Sequence, residues 1–358
     1  MMRAKELAIF AAITLALLEG SRPAAATIPE TQRPSVAPVL RAITPGVVNI
    51  ATKKVEIVDR VFREYFDVPD RALRQETQSA GSGVIVDAEH GYVLTNDHVV
   101  KGANTIEVTT KDNRRFKAQL VGRDQATDIA LLRIKADNLV AVPLGDSNSL
   151  EVGDYVLAIG NPFGLGQTVT SGIISALGRT GLGIEGYEDF IQTDASINPG
   201  SSGGALVTLD GRLAGINTAI LSKTGINVGI GFAVPINMAR LVMSQLIATG
   251  AVKRGRIGVT MRNLQQSNSF SAAAEGAVIE SVELQSPAAY AGLLKGDIVL
   301  SANGVPIKSS SQFRNIVGLL PIGTELDLQY QRGKEMAATK LRIEAPRQSA
   351  SGERTSRN

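Results

Sequence analysis

GSSGGALVTLDGRLAGINTAI, residues 200–220, contains a glycine-rich turn followed by two apolar runs on either side of Asp210-Gly211. An Asp-Gly pair between such runs predicts a β-hairpin. Similar short apolar runs, separated by Gly, Asn and Asp turns, recur from Val47 to about Val234. This regular spacing is typical of an all-β sandwich or barrel, so we predict a mainly β fold for this part of the chain.

The composition excludes several classes of protein. The chain has 358 residues, of which 44% are hydrophobic, enough for two globular domains with real cores. Its formal net charge is only +3, and its Lys and Arg residues are scattered among nearly as many acidic residues. No basic stripe is interleaved with aromatic residues, so we do not expect a nucleic-acid-binding protein. It has no cysteine, so no disulfide framework is available.

The N-terminus has the pattern of a secretory signal. Arg3 and Lys5 precede the apolar run at residues 7–18, and small residues follow at 24–26. The run has only 12 residues, fewer than a membrane-spanning helix needs. We therefore predict a signal peptide at residues 1–26 and a periplasmic location; retention of this segment as an inner-membrane anchor is the alternative.

The turn at residues 200–204 has the form that a nucleophilic serine requires. Flanking glycines allow an exposed hydroxyl on a tight turn, with backbone N–H groups directed at a developing oxyanion. The same letters fit the GxSxG elbow of α/β-hydrolases, whose histidine follows the serine. Here both histidines, His90 and His98, precede the serine, so the elbow is rejected. The glycine pair selects Ser202 over Ser201 as nucleophile, and we expect Gly200 and Ser202, assisted by Ser201, to form the oxyanion hole.

The order of the remaining residues completes a His-Asp-Ser triad. His98 ends a predicted strand in LTNDHVV, and Asp128 precedes the apolar run IALLRI, which should draw it inward. Asp97 is next to His98, and neighbouring strand side chains point to opposite faces. Asp124 has the setting of a turn residue, and His90 that of a solvated hairpin tip. We predict His98, Asp128 and Ser202 as the catalytic residues, with no metal and no cofactor.

Several long motifs resemble those of the HtrA/Deg (peptidase Do) family. They are LTNDHVV, ATDIALLRI, IGNPFGLGQTVTSGIISALGR, QTDASINPGSSGGAL and GINTAI, and the resemblance covers about residues 35–347. It implies a chymotrypsin-like double β-barrel protease domain and a serine endopeptidase activity. Ser201 departs from the family, which usually has Asn at this position.

The resemblance also implies roles outside the triad. Ile197, Ala219 and Leu221 would line a small apolar pocket, and the strand from Asn217 through Thr218 to Ala219 would pair with the substrate backbone. Arg179, after a strand at residues 173–177, would lie on a regulatory loop. The charged segment at residues 57–80 would be a long, mobile insertion whose Phe62, Tyr65 and Phe66 reach a neighbouring subunit. Relatives form homotrimers, and some form larger cages.

A second domain begins at residue 251. The sequence GDIVL, followed by Asn303-Gly304 and a helical pattern from Ser309 to Leu320, resembles a PDZ domain of α+β type. The resemblance places a loop that binds a peptide carboxylate at Arg256, Ile257, Gly258 and Val259. We predict a protease domain at residues 27–250, starting with a Pro-rich extended arm at residues 27–40, a PDZ domain at residues 251–347 and a disordered tail at residues 348–358.

These observations favour a periplasmic serine endoprotease that degrades unfolded or misfolded envelope proteins in protein quality control and stress response. Its partners would be unfolded polypeptides and the peptide C-termini that its PDZ domain recruits. Two alternatives remain open: a chaperone or scaffold that binds unfolded clients, and a membrane-anchored regulatory protease with one anti-sigma-type substrate.

Overall fold

The computed structural model of the protein describes residues 35–57, 74–161, 166–182, 186–220, 228–264 and 275–346. The chain divides into two compact units, residues 1–38 and residues 39–358, and the described part of the first unit is residues 35–38. Within the described ranges, no helix is long and apolar enough to cross a membrane.

The N-terminal part of the chain is mostly β-strand. Its elements in chain order are α1 (Ala37–Ile43), β1 (Val47–Ile57), β2 (Arg74–Asp87), β3 (Tyr92–Thr95), α2 (Asp97–Val100), β4 (Thr105–Thr109), β5 (Arg115–Lys117), β6 (Gln119–Asp124), β7 (Ile129–Arg133), β8 (Tyr155–Gly160), β9 (Thr168–Arg179), β10 (Phe190–Thr193), β11 (Ala205–Thr208), β12 (Leu213–Ile220), β13 (Gly231–Pro235) and α3 (Ile236–Thr249).

The first seven strands form an antiparallel sheet in the order β5-β4-β1-β2-β3-β7-β6. Successive side chains of its inner strands enter two different cores, as the two-residue period of a strand requires. Val48, Ile50 and Val93 pack in a core of this sheet's own. Their neighbours Val47 and Leu94 pack in a larger core with residues of the second half. The sheet is therefore buried on both faces along its inner strands.

The second half is a closed barrel in the order β10-β13-β12-β11-β8-β9, followed by helix α3. Met238, Val242 and Leu246 bury one side of α3 in the larger core. The helix ends where Gly250 takes a left-handed conformation (φ 74°) and its N–H donates to the Leu246 carbonyl at 2.9 Å. The helical spacing of these apolar residues, with Gly250 just past the last one, predicts a helix at residues 235–250 from the sequence, and the structure confirms it.

The C-terminal part is a smaller α+β unit with its own core. Its sheet runs β14-β15-β16-β18-β19, with β17 paired to β16. The elements are β14 (Val259–Asn263), β15 (Ala277–Val282), α4 (Pro287–Tyr290), β16 (Ile298–Ala302), β17 (Val305–Pro306), α5 (Ser310–Leu319), β18 (Glu325–Arg332) and β19 (Glu335–Arg342). Ser309 caps α5 by accepting the N–H of Gln312, as the predicted helix at residues 309–320 requires.

Polar and aromatic contacts join the C-terminal part to the N-terminal part. The side-chain amide of Gln245 on α3 donates to the carbonyl of Leu319 at the end of α5, at 2.7 Å. Arg254 forms an ion pair with Asp124 at 2.6 Å, and its guanidinium lies 4.4 Å from the ring centre of Tyr187. These groups form a junction between the two parts, made of residues that are far apart in the sequence.

Two predictions about irregular segments are wrong in part. Residues 37–40, predicted as the end of an extended arm, belong to helix α1. Residues 74–80, predicted as part of a mobile insertion, lie in β2, which pairs with β1 as far as Ile57 and Arg74. Charged and polar residues dominate this ribbon, so it gives no apolar strand signal. Phe62, Tyr65 and Phe66 lie outside the described residues.

Candidate active site

His98 and Asp128 are in direct contact. The His98 Nδ1 lies 2.8 Å from Asp128 Oδ2 and 3.0 Å from Oδ1, and the His98 backbone N–H donates to Oδ1 at 3.0 Å. The His98 side chain is 49% exposed, whereas that of Asp128 is 3% exposed. A buried carboxylate therefore holds one edge of an imidazole that faces solvent. His98 lies in the short helix α2 rather than in a strand, because pairing of β3 with β7 stops at Thr95.

Asp128 itself is held in an uncommon backbone conformation. Its φ is +55°, a region that Asp and Asn tolerate better than other non-glycine residues. The buried side-chain amide of Asn96 donates to the Asp128 carbonyl at 2.9 Å, and the Thr218 hydroxyl donates to Oδ2 at 2.5 Å. The carboxylate thus accepts hydrogen bonds from the His98 backbone N–H and the Thr218 hydroxyl, which fix its orientation toward the imidazole, while Asn96 holds the Asp128 backbone.

The other nearby acids have different partners. Asp97 is buried and accepts from Arg123 at 2.9 Å. The sequence argument against Asp97 as the triad acid, that strand neighbours point to opposite faces, does not apply, because Asp97 and His98 share a helical turn. The ion pair with Arg123 excludes Asp97 as the triad acid instead. The sequence predicts Asp124 as a turn residue, and this is wrong: Asp124 ends strand β6 and forms an ion pair with Arg254 of the junction. His90 lies on an exposed turn, as predicted, and contacts Asp87 at 2.8 Å.

Ser202 lies on a tight turn between two glycines of positive φ. Gly200 and Gly203 have φ values of +91° and +82°. A Cβ on Gly203 would lie 2.2 Å from the Ser82 carbonyl oxygen, so no side chain fits there. The Ser202 hydroxyl donates to the Thr218 carbonyl at 3.2 Å. Because the Thr218 side chain binds Asp128, this residue connects the serine turn with the His98–Asp128 pair.

The backbone N–H groups of the turn differ in their partners. The Ser201 N–H donates to the Asn198 carbonyl at 2.9 Å, inside the turn. This contradicts the predicted assisting role of Ser201, because an N–H that is already engaged is not aimed at an oxyanion. The described residues show no acceptor for the N–H groups of Gly200 and Ser202. Those two remain the candidate donors.

One predicted pocket residue, Ile197, and one residue predicted to pair with the substrate backbone, Asn217, are buried. Ile197 is 1% exposed and packs against Gly231, and Asn217 is fully buried. The Asn217 backbone is engaged with the serine turn, since its N–H donates to Gly204 at 2.9 Å and its carbonyl accepts from Gly203 at 2.8 Å. The pocket role that the resemblance implies for Ile197 is therefore corrected, because its side chain belongs to the core. The pairing of Asn217 with substrate is corrected too, because both its backbone groups are already bonded to the serine turn.

The later part of β12 has a different environment. Strand β11 pairs with β12 only as far as Ile216, whereas β13 pairs with it through Ile220. Ala219 is opposite Phe232 in that second pairing. Leu221 lies outside the described residues. After Ile216, the edge of β12 that faced β11 is no longer paired with that strand. This edge lies beside Ser202, whose hydroxyl contacts the Thr218 carbonyl.

Arg179 is the last residue of strand β9. The loop position that the resemblance implies for it is therefore wrong. Arg179 is opposite Phe190 in the pairing with β10, and its side chain donates to the Gln192 side chain at 2.8 Å. The strand is longer than the predicted strand at residues 173–177, because residues 168–172 pair with β8 and Arg179 pairs with β10 beyond a register shift.

The four predicted PDZ residues lie together on one groove. Arg256, Ile257, Gly258 and Val259 line a cavity of about 680 Å³ that is also lined by Phe313 of α5. Gly258 has φ +80°, and a Cβ there would lie 2.3 Å from the Ser286 side chain. Glycine is therefore required where the loop turns into β14, the edge strand of its sheet.

Sequence reasoning missed several polar residues of the site. The resemblance implies only a substrate contact for Thr218, and no role is predicted for Asn96, Ser82 or Tyr187. Asn96 gave a usable signal, because it is a polar residue between a strand and the candidate histidine. Ser82 gave none. Within the described ranges, no group of three or more His, Cys, Asp or Glu residues is arranged to hold a metal ion.

Comparison with known proteins identifies both parts of the chain. Residues 81–216 match the trypsin-like peptidase domain, and residues 255–343 match the PDZ domain. The chain is 43% identical over 372 residues to the periplasmic serine endoprotease DegP of Escherichia coli K12, covering 93% of this chain and 78% of that protein. It is 44% identical over 342 residues to the periplasmic pH-dependent serine endoprotease DegQ of the same strain, covering 90% and 75%.

Solved structures agree. The HtrA-type protease AlgW with a decapeptide is 41% identical, with a TM-score of 0.63, covering 88% of this chain and 99% of that chain. The serine endoprotease from Yersinia pestis is 38% identical, with a TM-score of 0.54, covering 88% and 99%. The predicted fold class, a mainly β chymotrypsin-like protease domain followed by a PDZ domain, is confirmed. The chain belongs to the HtrA family of trypsin-like serine endoproteases that carry a PDZ domain.

Proposed function

We propose that His98, Asp128 and Ser202 carry out this chain's peptide hydrolysis by acyl transfer. The observation that supports this most is the series of contacts from His98 to Asp128, from Asp128 to the Thr218 side chain and from the Thr218 carbonyl to Ser202. These contacts link, by way of Thr218, the three residues whose order in the chain suggests a triad. A solvent-facing imidazole on a buried carboxylate has the polarity that a general base requires.

Each step then has a residue to perform it. His98 takes the proton of the Ser202 hydroxyl as that oxygen attacks the peptide carbonyl. The N–H groups of Gly200 and Ser202 stabilise the negative oxygen of the tetrahedral intermediate. His98 returns the proton to the leaving amine, and water then releases the acyl group. Because His98 must be neutral to accept a proton, activity falls as the solution is acidified.

We propose that the substrate binds as an added strand on β12. The backbone from Thr218 to Ile220 lies beside Ser202 and beyond the last β11 pair, so an extended peptide placed there would pass the serine. Ala219 and Leu221 remain the proposed pocket residues. An extended conformation is available to unfolded polypeptides and not to compact ones, which favours unfolded or misfolded envelope proteins as substrates.

The PDZ groove is proposed to bind peptide C-termini. Strand β14 is the edge strand of its sheet, and α5 forms the opposite wall of the groove, so a peptide can pair with β14 while its side chains meet α5. A related AlgW structure contains a decapeptide. A fluorescent peptide with a free C-terminal carboxylate should bind at least about tenfold more tightly than its amidated counterpart; equal affinity of the two would contradict capture at residues 256–259.

Location, assembly and regulation are further proposals. The signal-like segment at residues 1–26 and the names of the periplasmic relatives support export to the periplasm in quality control and stress response. We propose a homotrimer and a regulatory role for Arg179, whose bond to Gln192 links β9 and β10. The domain limits proposed are residues 27–250 for the protease and 251–347 for the PDZ domain.

Casein digestion tests the triad and separates protease from chaperone. The wild-type protein should digest casein, and Ser202→Ala should not, while both bind the unfolded client with similar affinity. Digestion that survives in Ser202→Ala would refute the serine assignment. Binding with no digestion by wild type would favour the chaperone. N-terminal sequencing of the exported protein distinguishes a cleaved signal from a membrane anchor.

A further inference from the structure

Ser82 connects strand β2 with the turn that carries Ser202. It is fully buried, and its backbone N–H donates to the Ser202 carbonyl at 2.8 Å. Its hydroxyl donates to the Gly200 carbonyl at 2.6 Å and accepts the backbone N–H of Asn161 at 2.8 Å. Its own carbonyl accepts the Thr95 hydroxyl at 2.7 Å. All its polar groups are therefore satisfied, and two of them hold the serine turn.

The hydroxyl of Ser82 fixes the direction of one peptide plane. A hydroxyl has a single proton, and here it is directed to Gly200 because the Asn161 N–H occupies an acceptor site on the same oxygen. The Gly200 carbonyl belongs to the peptide that ends in the Ser201 N–H, which points to Asn198. This peptide lies between the two peptides that carry the N–H groups of Gly200 and Ser202, the proposed oxyanion donors, so a displacement of the Gly200 carbonyl would shift the backbone that holds both donors.

Ser82 also joins the two halves of the protease domain by hydrogen bonds. Ser82 lies on β2, which pairs with β3, and β3 leads to His98. The serine turn belongs to the second half of the domain. Asn161 is itself fixed from the first sheet, because the Asn49 side chain donates to its carbonyl at 2.8 Å. The network therefore sets the position of the nucleophile relative to the strands that carry its base.

We infer that Ser82 is a positioning residue for the reaction, whose hydroxyl holds the Gly200–Ser201 peptide in the orientation that forms the oxyanion hole. The inference rests on the proposed function of Ser202. Ser82 does not touch substrate; it acts through the turn. Its loss should therefore lower the rate of the chemical steps more than substrate binding, because the oxyanion appears only in the transition state.

The test is Ser82→Ala, which removes the hydroxyl and leaves the backbone bond to Ser202. Loss of one oxyanion-hole donor costs about 10²–10³-fold in kcat, so an indirect displacement should cost about 10–100-fold, with KM changed less than about twofold. Affinity for a peptide aldehyde, which forms a tetrahedral adduct with the serine, should fall by a similar factor. Affinity for the matching peptide alcohol, which forms no adduct, should not change.

Ser147→Ala is the matched control. Ser147 is also a buried serine, and its hydroxyl accepts a backbone N–H, that of Asn237 at 3.2 Å, away from the serine turn. This variant should keep wild-type kcat. A kcat loss in Ser82→Ala no larger than the control's, a loss confined to KM, or an unchanged aldehyde affinity would each overturn the inference.

Two further variants keep the test decisive. If Ser82→Ala does not fold, Ser82→Cys replaces it, because its thiol is a weaker hydrogen-bond donor of similar size. This variant should lose less than about tenfold in kcat, again with little change in KM. Wild-type kcat in Ser82→Cys would count against the inference. Ser202→Ala distinguishes the two levels: residual activity there refutes the proposed nucleophile, whereas an inactive Ser202→Ala with a fully active Ser82→Ala refutes only the positioning role.

Discussion

Asp189 should make the folded protein less stable as the pH rises toward neutrality. The residue precedes β10 and lines a cavity of about 180 Å³ at the junction, together with Leu241 of α3 and Ile316 of α5. Burial raises the pKa of its carboxyl from 3.8 to about 7, and the nearby positive charge of Lys308 only partly opposes this. The Asp189→Asn substitution removes the titration while keeping the shape of the side chain.

The sign and size follow from proton linkage. Between pH 4 and 7 the folded protein keeps a proton that the unfolded chain releases, so the free energy of unfolding falls as the pH rises through this window and is constant above it. From pH 5 to pH 7 the upper bound is about 3 kcal/mol, at about 1.4 kcal/mol for each pH interval of one. Since Asp189 is partly exposed, we expect about 1–2 kcal/mol.

Urea unfolding at pH 5 and pH 8 measures this effect. Asp189→Asn should gain about 1–2 kcal/mol relative to wild type between pH 5 and pH 8. Asp137→Asn, at an exposed position, is the control and should show the same difference from wild type at both values. If Asp189→Asn gains nothing between the two pH values, or gains stability toward acid pH, the reasoning from burial is wrong.

Three further substitutions test the site and the groove. Gly203→Ala should abolish labelling by a fluorophosphonate, because its Cβ would lie 2.2 Å from a carbonyl oxygen, whereas Gly153→Ala, where φ is also positive but no atom lies within 4 Å, should still be labelled. Thr218→Val should lower kcat/KM about tenfold by removing the hydrogen bond that orients Asp128, and Thr218→Ser should restore it; equal rates in all three proteins would contradict the role of this bond. Phe313→Ala, which empties a buried position beside the groove, should destabilise the protein by about 3–5 kcal/mol and weaken peptide binding in fluorescence anisotropy, and unchanged affinity would refute its place in the groove.

Local sequence predicted the elements whose limits are set by local chemistry. Asp210-Gly211 gave the hairpin between β11 and β12, and Gly211 has the positive φ (79°) that such a turn uses. Gly250 predicted where α3 ends, and it forms the C-cap of that helix. The second strand of the β1–β2 ribbon was missed at residues 74–80, because these residues are mostly polar and leave no apolar period.

The site residues also divide into those that local sequence predicts and those that only long-range contacts determine. The triad candidates could be chosen from their order and flanking residues, but the environment of each depends on contacts that close over long distances in the chain. The resemblance implies a pocket role for Ile197 and a loop position for Arg179, whereas Ile197 is part of the core and Arg179 ends a strand. Ser82 meets Gly200 across 118 positions, a contact that no local pattern encodes.

The identity of the nucleophile is the central claim, and mapping a fluorophosphonate label by mass spectrometry tests it most directly. Wild type and Ser201→Ala should both carry the label on Ser202, because the Ser202 hydroxyl is the one joined through Thr218 to the His98–Asp128 pair. Ser202→Ala should carry none. A label on Ser201 or elsewhere, or casein digestion by an enzyme that takes no label, would contradict the account.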